Sequence, residues 1–298
     1  MSLRVISPGT HTLVVDGGRP RTRSLGIPLG GPADRSALAL GNTLVGNAPQ
    51  MPALEIALTG PTLIAIRDVG MCVFGAPFQV FRDGVEIEAG HTFTLREGQT
   101  LRIGGTPRGC RAYLCVPGGF RCPKILESVT GFSPLVSEDV LECDSSILPG
   151  RGLGTGLARS EKVVLLRCLP GPQADWFKEG FFANTYRVTP DCNRMGLRLD
   201  GPPLKMPKRE LISEAVAPGA IQITNEGKPI VLGVDGQTIG GYPKVAHVIS
   251  ADLDALGQLR PGDEVRFQLV SERKAEEFFT RQREELNEVL RRIAFALG

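Results

Sequence analysis

Apolar positions along most of the chain come in short runs, broken by glycine, proline and polar residues at intervals too short for helices. Residues 3 to 15 alternate well enough to predict a strand, or a strand pair around Ser7-Pro8-Gly9. From Ala53 to Phe120 short strands follow one another, with turns at Thr59-Gly60-Pro61, Asp83-Gly84, Ala89-Gly90, Glu97-Gly98 and Gly104-Gly105. Strands punctuated this regularly predict a β-barrel or sandwich. Helical spacing appears at few places. Leu38, Leu44 and Val45 recur near a 3.6 period behind Asp34, a good N-cap, and this helix should end near Gly46-Asn47. A short helix is expected from Ala174 to Glu179. The tail, Ser271 to Leu297, places Phe278, Phe279, Leu286, Val289, Leu290, Ile293 and Phe295 roughly on one face. It predicts one amphipathic helix, packed on a barrel or docked on a partner.

The stretch Pro229 to Asp252 stands out in this pattern. Ile230, Val231, Leu232 and Val234 form a buried strand, and Val245 to Ile249 form another. Between them lies a polar, glycine-rich loop carrying Asp235, Gln237, Gly240, Gly241, Tyr242 and Lys244. Glycine permits sharp turns and close approach to a ligand, and loops held by rigid strands often carry binding groups. The two readings are a hairpin with a generous turn, or a site.

Three short matches suggest an internal repeat: Leu25–Pro32 with Met195–Pro202, Leu54–Gly60 with Ile221–Gly227, and Leu95–Ile103 with Leu259–Phe267. They recur in the same order at a slowly shrinking spacing. The expected organisation is an N-terminal lobe over 1–158, a second lobe over 159–270 and a helix over 271–298, with Gly150 to Gly156 as a linker. Two lobes of one design should leave a cleft, where ligand sites often lie.

Composition narrows the class. The 298 residues are 42% hydrophobic, enough for a soluble protein with an ample core. A net charge of +2 asks for neither nucleic acid nor an anionic membrane as partner. The N-terminus reads as a first strand and not as a signal peptide, and no window approaches a membrane span. The seven cysteines include no C-x-x-C pair, so neither a zinc site nor a disulfide framework is expected, and no metal is assigned. The expected compartment is the reducing cytoplasm. Of three scattered histidines, His247 lies inside an apolar strand pattern and reads as structural.

The motifs resemble a known family. Gly31-Pro-Ala-Asp34, Asn42–Asn47 and Gly60-Pro-Thr62 match in the first half. In the second half Gly171-Pro-Gln173, Asn193–Pro202, Ser213-Glu214, Pro218–Gln222, Gly227–Val231, Asp235–Thr238, Gly240–Lys244, Val248–Asp252 and Pro261–Asp263 match. The chain resembles the C-type subunit of 5-oxoprolinase, also called allophanate hydrolase subunit 2, whose module recurs in the carboxyltransferase part of urea carboxylase. The resemblance implies a mainly β chain with two related cyclophilin-like β-barrel lobes. It implies ATP-driven opening of the 5-oxoproline lactam to glutamate. The work would be done in a complex with a companion of related fold (the B-type subunit, or allophanate hydrolase subunit 1 type) and an A-type, lactam-hydrolase subunit. Alternatives are a carboxyltransferase-like subunit of a biotin-dependent urea or amide carboxylase or allophanate hydrolase system, and a non-catalytic binding subunit. The sequence departs from the family at Thr130–Leu141 and at Ile223-Thr224-Asn225.

Lactam opening needs an electrophilic carbonyl and a protonated leaving nitrogen. Asp235, Lys244 and Tyr242 are the candidate catalytic residues; Arg194, Gln222, Gln237, Gly240 and Gly241 are the candidate substrate contacts. Lys244 can hold a phosphate or carboxylate, Arg194 or Arg198 can clamp a carboxylate, the glutamines can pair with an amide and Asp235 can act as a general base or bind a cation. The chain has no G-x-x-x-x-G-K-[ST] loop, so ATP is used by the complex without a clear site here. Lys205-Met206 is only a partial echo of a biotin-carrier lysine, so no covalent biotin is expected on this chain.

Overall fold

The computed structural model describes residues 1–153, 163–177, 180–209 and 211–297. The chain forms two compact units. The first comprises Met1–Arg19, Gly30–Ser160 and Leu286–Gly298; the second comprises Pro20–Leu29 and Glu161–Glu285. The division departs from simple cuts at 158 and 270: segment 20–29 joins the second unit, and the C-terminal helix is divided between both. The ends of the expected linker (154–156) and of the expected helix after Ala174 (178–179) lie outside the described residues.

In the first unit the chain runs β1 (Leu3–Ser7), β2 (His11–Val15), α1 (Arg35–Leu44), β3 (Ala53–Ala57), β4 (Thr62–Ala65), β5 (Val69–Gly75) and β6 (Val80–Arg82). It continues with β7 (Val85–Ile87), β8 (Thr92–Leu95), β9 (Thr100–Ile103), β10 (Arg111–Cys115) and β11 (Val140–Leu141). One sheet has the order β11-β1-β4-β9-β6-β7 and the other β2-β3-β10-β5-β8. Leu54, Ile56, Leu63, Met71, Val73, Leu101 and Leu114 share one core cluster drawn from both sheets. A second cluster joins Leu13, Phe74 and Tyr113 of the five-stranded sheet to Leu38, Leu40 and Leu44 of α1 and to Ile293 of the C-terminal helix. Both faces of that sheet are covered, so β3, β5 and β10 are buried at every position and show no alternation. Asp34 caps α1 as expected, its Oδ1 accepting from the Ala37 N–H at 2.9 Å.

The weakly patterned region after residue 120 is tied down by polar groups. The Arg19 side chain, 2% exposed, donates to the Ile125 carbonyl at 2.9 Å. Asp16 accepts from Ser128, Val129 and Thr130.

The second unit contains β12 (Val163–Pro170), a 3-10 turn (Ala174–Phe177), β13 (Tyr186–Val188), β14 (Gly196–Asp200), β15 (Glu214–Ala215), β16 (Ala220–Ile223) and β17 (Pro229–Leu232). After these come β18 (Ile239–Gly240), β19 (Lys244–Val248), α2 (Leu253–Gly257), β20 (Glu264–Leu269) and α3 (Glu272–Leu297). Seven strands close into a barrel, β12-β19-β16-β17-β14-β13-β20, and the parallel pair β12/β20 completes the ring. Leu166, Leu197, Leu199, Ile221, Ile223, Val231, Val248, Val265 and Phe267 belong to its core. Among the described residues β15 and β18 pair only with each other, as a ribbon outside the barrel ladder. Within this unit the start of α3 is held by Arg167, whose guanidinium lies 3.7 Å from the Phe278 ring centroid and is also bound by buried Asp252. No helix among the described residues is long and apolar enough to cross a membrane.

The chain is thus mainly β with a closed barrel and a C-terminal helix. The matched sequence segments, however, do not occupy matching ladder positions. Leu54–Gly60 covers β3, flanked by β2 and β10, whereas Ile221–Gly227 covers β16, which forms a hairpin with β17 and also pairs β19. Leu25–Pro32 holds no strand, while Met195–Pro202 contains β14. The third pair shares local chemistry: Gly98 and Gly262 each take a positive φ (79° and 92°) just before β9 and β20. Similar turns entering similar strands account for that match.

Candidate functional site

The site is built on β16, β19 and the β15/β18 ribbon of the second unit. β16 and β19 run antiparallel, with Ala220 opposite His247 and Ile221 opposite Ala246. The register then shifts, so that Gln222 lies opposite Lys244. The extra residue, Val245, makes a β-bulge, a device that re-aims side chains beside functional sites. Lys244 and Gln222, 6% and 1% exposed, thus share one place in the ladder.

Lys244 is fixed from behind. The Gly171-Pro172-Gln173 turn continues β12 alongside β19. Gln173 N–H donates to the Lys244 carbonyl at 3.1 Å, and Gln173 Oε1 accepts from the Lys244 N–H at 2.9 Å. A Cβ on Gly171 would stand 2.2 Å from the Lys244 carbonyl oxygen, so only glycine fits there. The Lys244 ammonium pairs with Glu214 on β15. The hydrogen bond and charge of Lys244 hold the Glu214 carboxyl below its ordinary value, with a further hydrogen bond from Gln173.

The loop after β17 brings the amides together. Gln237 Nε2 donates to Gln222 Oε1 and Gln222 Nε2 donates to the Tyr242 carbonyl, both at 3.4 Å. These are long bonds, at the weak end of hydrogen-bond geometry, which a ligand can better. A Cβ on Gly240 would come within 2.5 Å of Gln222 Nε2 and 2.7 Å of Gln237 Nε2, so this glycine makes room for the two amides to pack against its backbone. Gly241 lies beside Ser213, whose hydroxyl would be 3.2 Å from a Cβ there. Tyr242 is 36% exposed and stands at the rim.

Arg194 and Asp235 pair with each other. Arg194 Nε donates to Asp235 Oδ2 at 2.7 Å and Arg194 Nη2 to Oδ1 at 3.0 Å, while the Asp235 N–H donates to the Arg194 carbonyl at 3.1 Å. The arginine is 7% exposed and the aspartate 32%. This bidentate contact anchors the start of the loop to the turn before β14. Both acidic oxygens are engaged, and the guanidinium faces Asp235.

The structure therefore links Gln222 with Gln237, Gly240 and Lys244, puts Tyr242 at the edge, and pairs Arg194 with Asp235 two residues before Gln237. It adds Gln173 and Glu214, to which sequence reasoning gave no role although both lie in motifs singled out above. A groove of about 390 Å³ lies elsewhere on the barrel, lined by residues including Arg187, Asp191, Arg198, Glu226 and Lys228. Lys228 pairs with Asp200 at 2.6 Å and Arg187 with Glu264 at 3.0 Å, and of the candidate residues only Arg198 lines this groove. The Lys244 cluster is the better candidate, because Lys244 and Gln222 are buried opposite one another in the ladder and Gln237 joins them through Gln222.

Known proteins share this architecture. The chain is 34% identical over 292 residues to the C subunit of 5-oxoprolinase from Haemophilus influenzae, covering 91% of this chain and 92% of that one. It is 35% identical over 281 residues to the corresponding 5-oxoprolinase C subunit of Escherichia coli, covering 89% and 90%. The crystal structure of the K. lactis urea amidolyase matches with a TM-score of 0.87 at 28% identity, over 97% of this chain and 20% of that one, so this chain corresponds to about one fifth of the larger protein. Residues 25–269 match the carboxyltransferase domain, subdomain A and B. With a match of that extent, and relatives of this identity along nearly their whole length, the chain belongs to the carboxyltransferase A/B family.

Proposed function

We propose that this chain is a subunit of an ATP-dependent 5-oxoprolinase, in which its second unit binds the 5-oxoproline lactam that is opened to glutamate. The observation that carries this reading is the placement of buried Lys244 opposite buried Gln222 in the ladder, with the Gln237 amide bonded to Gln222 and both amides seated against Gly240. The substrate offers one carboxylate and one cyclic amide, the complement of that set. The names of the Haemophilus influenzae and Escherichia coli relatives support it.

In this reading Lys244 takes the substrate carboxylate, while Gln222 and Gln237 orient the lactam C=O and N–H. Asp235, held by Arg194, positions the loop, and the Tyr242 phenol at the rim is the proton donor to the departing nitrogen. Ring opening breaks the C–N bond and adds water across it. The site does not fit a triphosphate: one ammonium among neutral amides matches a single carboxylate and leaves the remaining phosphate charge without partners. ATP binding is assigned to a partner, either the companion of related fold or the lactam hydrolase. Any biotin that matters arrives on another protein. Seven free thiols suit the cytoplasm.

The test is reconstitution. The chain, co-purified with its companion and lactam-hydrolase partners, should form glutamate from 5-oxoproline and ATP, and the chain alone should form none. A complex inert towards 5-oxoproline that carboxylates urea in the presence of a biotin carrier would favour the second reading. That reading is supported by the structural match to urea amidolyase over nearly the whole chain.

A further inference from the structure

The anion on Lys244 is the protein's own. Its partner Glu214 is unlike the rest of the site. The Lys244 side chain is 8% exposed and the Glu214 side chain 45%. Lys244 is clamped on both backbone groups by Gln173 and backed by Gly171. Glu214 sits on a two-residue strand whose sheet partner is the equally short β18. Ile212 before β15 and Ile239 on β18 are 87% and 61% exposed, while Val216 just after β15 is buried beside Ala220 and Leu232, so the ribbon is anchored past Glu214 and open on the side before it. If one member of the pair gives way, it is Glu214.

We propose that Glu214 is a built-in competitor for the anion subsite: a ligand carboxylate reaches Lys244 by displacing Glu214, which thereby determines both affinity and selectivity. This rests on the reading above that Lys244 is the carboxylate subsite. A buried ammonium with no partner is costly, and Glu214 removes that cost in the empty site. It is tethered, so it competes at high effective concentration. A bare carboxylate offers Lys244 no more than Glu214 already does and is refused. A ligand that brings a carboxylate together with an amide gains the contacts of Gln222 and Gln237 as well, and prevails. Selectivity then arises from an internal rival as much as from attraction. Gln173, bonded to the Lys244 backbone and to Glu214, holds the rival in register.

The test is calorimetric titration of the full chain with three probes: 5-oxoproline, 2-pyrrolidinone (the same lactam without the carboxylate) and acetate. Glu214→Gln and Glu214→Ala are compared with the unaltered protein, with circular dichroism as the check of fold. Both variants should bind 5-oxoproline and acetate about ten-fold more tightly, the factor by which a mostly self-occupied site weakens apparent affinity. Binding of 2-pyrrolidinone should not change. Unchanged or weaker carboxylate binding in folded variants, or no carboxylate binding to any of the proteins, would overturn the proposal. So would loss of fold in both variants, because a displaceable side chain must be dispensable to the barrel. Tighter acetate binding with no preference for 5-oxoproline would uphold the competitor and reject the lactam reading instead.

Discussion

Gln222 faces Lys244 across the β16/β19 ladder because β19 carries one extra residue at Val245. In a regular ladder Val245 would occupy that place. The bulge sets a buried cation opposite a buried amide, and Gln173 then locks the lysine from the β12 side. The candidate chemistry hangs on this register.

Lys244→Met should act on substrate binding more than on the chemical step. In the reconstituted complex KM for 5-oxoproline should rise roughly 10- to 100-fold, the value of one charge-assisted hydrogen bond, with a smaller fall in kcat. KM for ATP should not move. Steady-state kinetics with each substrate varied in turn checks this; equal changes in both KM values would remove Lys244 from the lactam site.

Asp235 and Arg194 make a brace whose loss should be seen as lost stability. Asp235→Ala leaves a nearly buried guanidinium without its bidentate partner, and should cost about 1–3 kcal/mol. Asp235→Asn, which keeps an acceptor, should cost less. The protein's single tryptophan, Trp176, lies in the second unit, so its fluorescence during urea unfolding reports on this barrel. Full stability with a loss of turnover above about 10²-fold in Asp235→Asn would instead return Asp235 to a proton-transfer role.

Two glycines should respond differently to the same added methyl. Gly171→Ala drives a Cβ into the Lys244 backbone and should destabilise the barrel by about 1–3 kcal/mol. Gly240→Ala meets only the ends of two glutamine side chains, which can swing away. Its melting temperature should change little, while 5-oxoproline affinity falls because the two amides are pushed out of position. Thermal melts and calorimetry on both variants separate the two; a Gly240→Ala protein that binds normally would show that the position of the two amides does not matter to the ligand.

His247 should make the second unit sensitive to mild acid. Burial holds its imidazole below the ordinary 6.5, against the opposing effect of the Val248 carbonyl on Nδ1. The unfolded chain takes up a proton near pH 6.5 while the folded one resists. The stabilisation is therefore complete above that pH and is lost as pH falls below it towards the folded value. His247→Gln should flatten the dependence of unfolding free energy on pH between roughly 7 and 5. An unchanged slope would assign the acid sensitivity to other groups.

The sequence by itself determined the local elements and the membership of the loop. The periodicity behind Asp34 marked α1, the apolar runs on either side of Asp235–Gly241 marked β17 and β19, and the tail's apolar stripe marked α3. These follow from short-range rules of capping, side-chain period and turn chemistry, which act within a few residues. Gln222, Gln237, Gly240 and Lys244 were legible for the same reason, as polar groups and glycines set against buried strands.

Tertiary structure alone decided which of them meet. The bulge at Val245 leaves no mark in an apolar run, because Val245 and Ala246 are both buried whichever way the ladder counts. The pairing of Asp235 with Arg194 spans 41 residues and that of Lys244 with Glu214 spans 30, and neither spacing is fixed by any local rule. The apparent repeat misled about pairing because turns and strands of similar composition can enter different ladders; strand order is settled by which buried faces close on one another. The pairing of β19 with β12 on one side and β16 on the other, more than any motif, brings Gln173, in the turn after β12, and Gln222 beside Lys244.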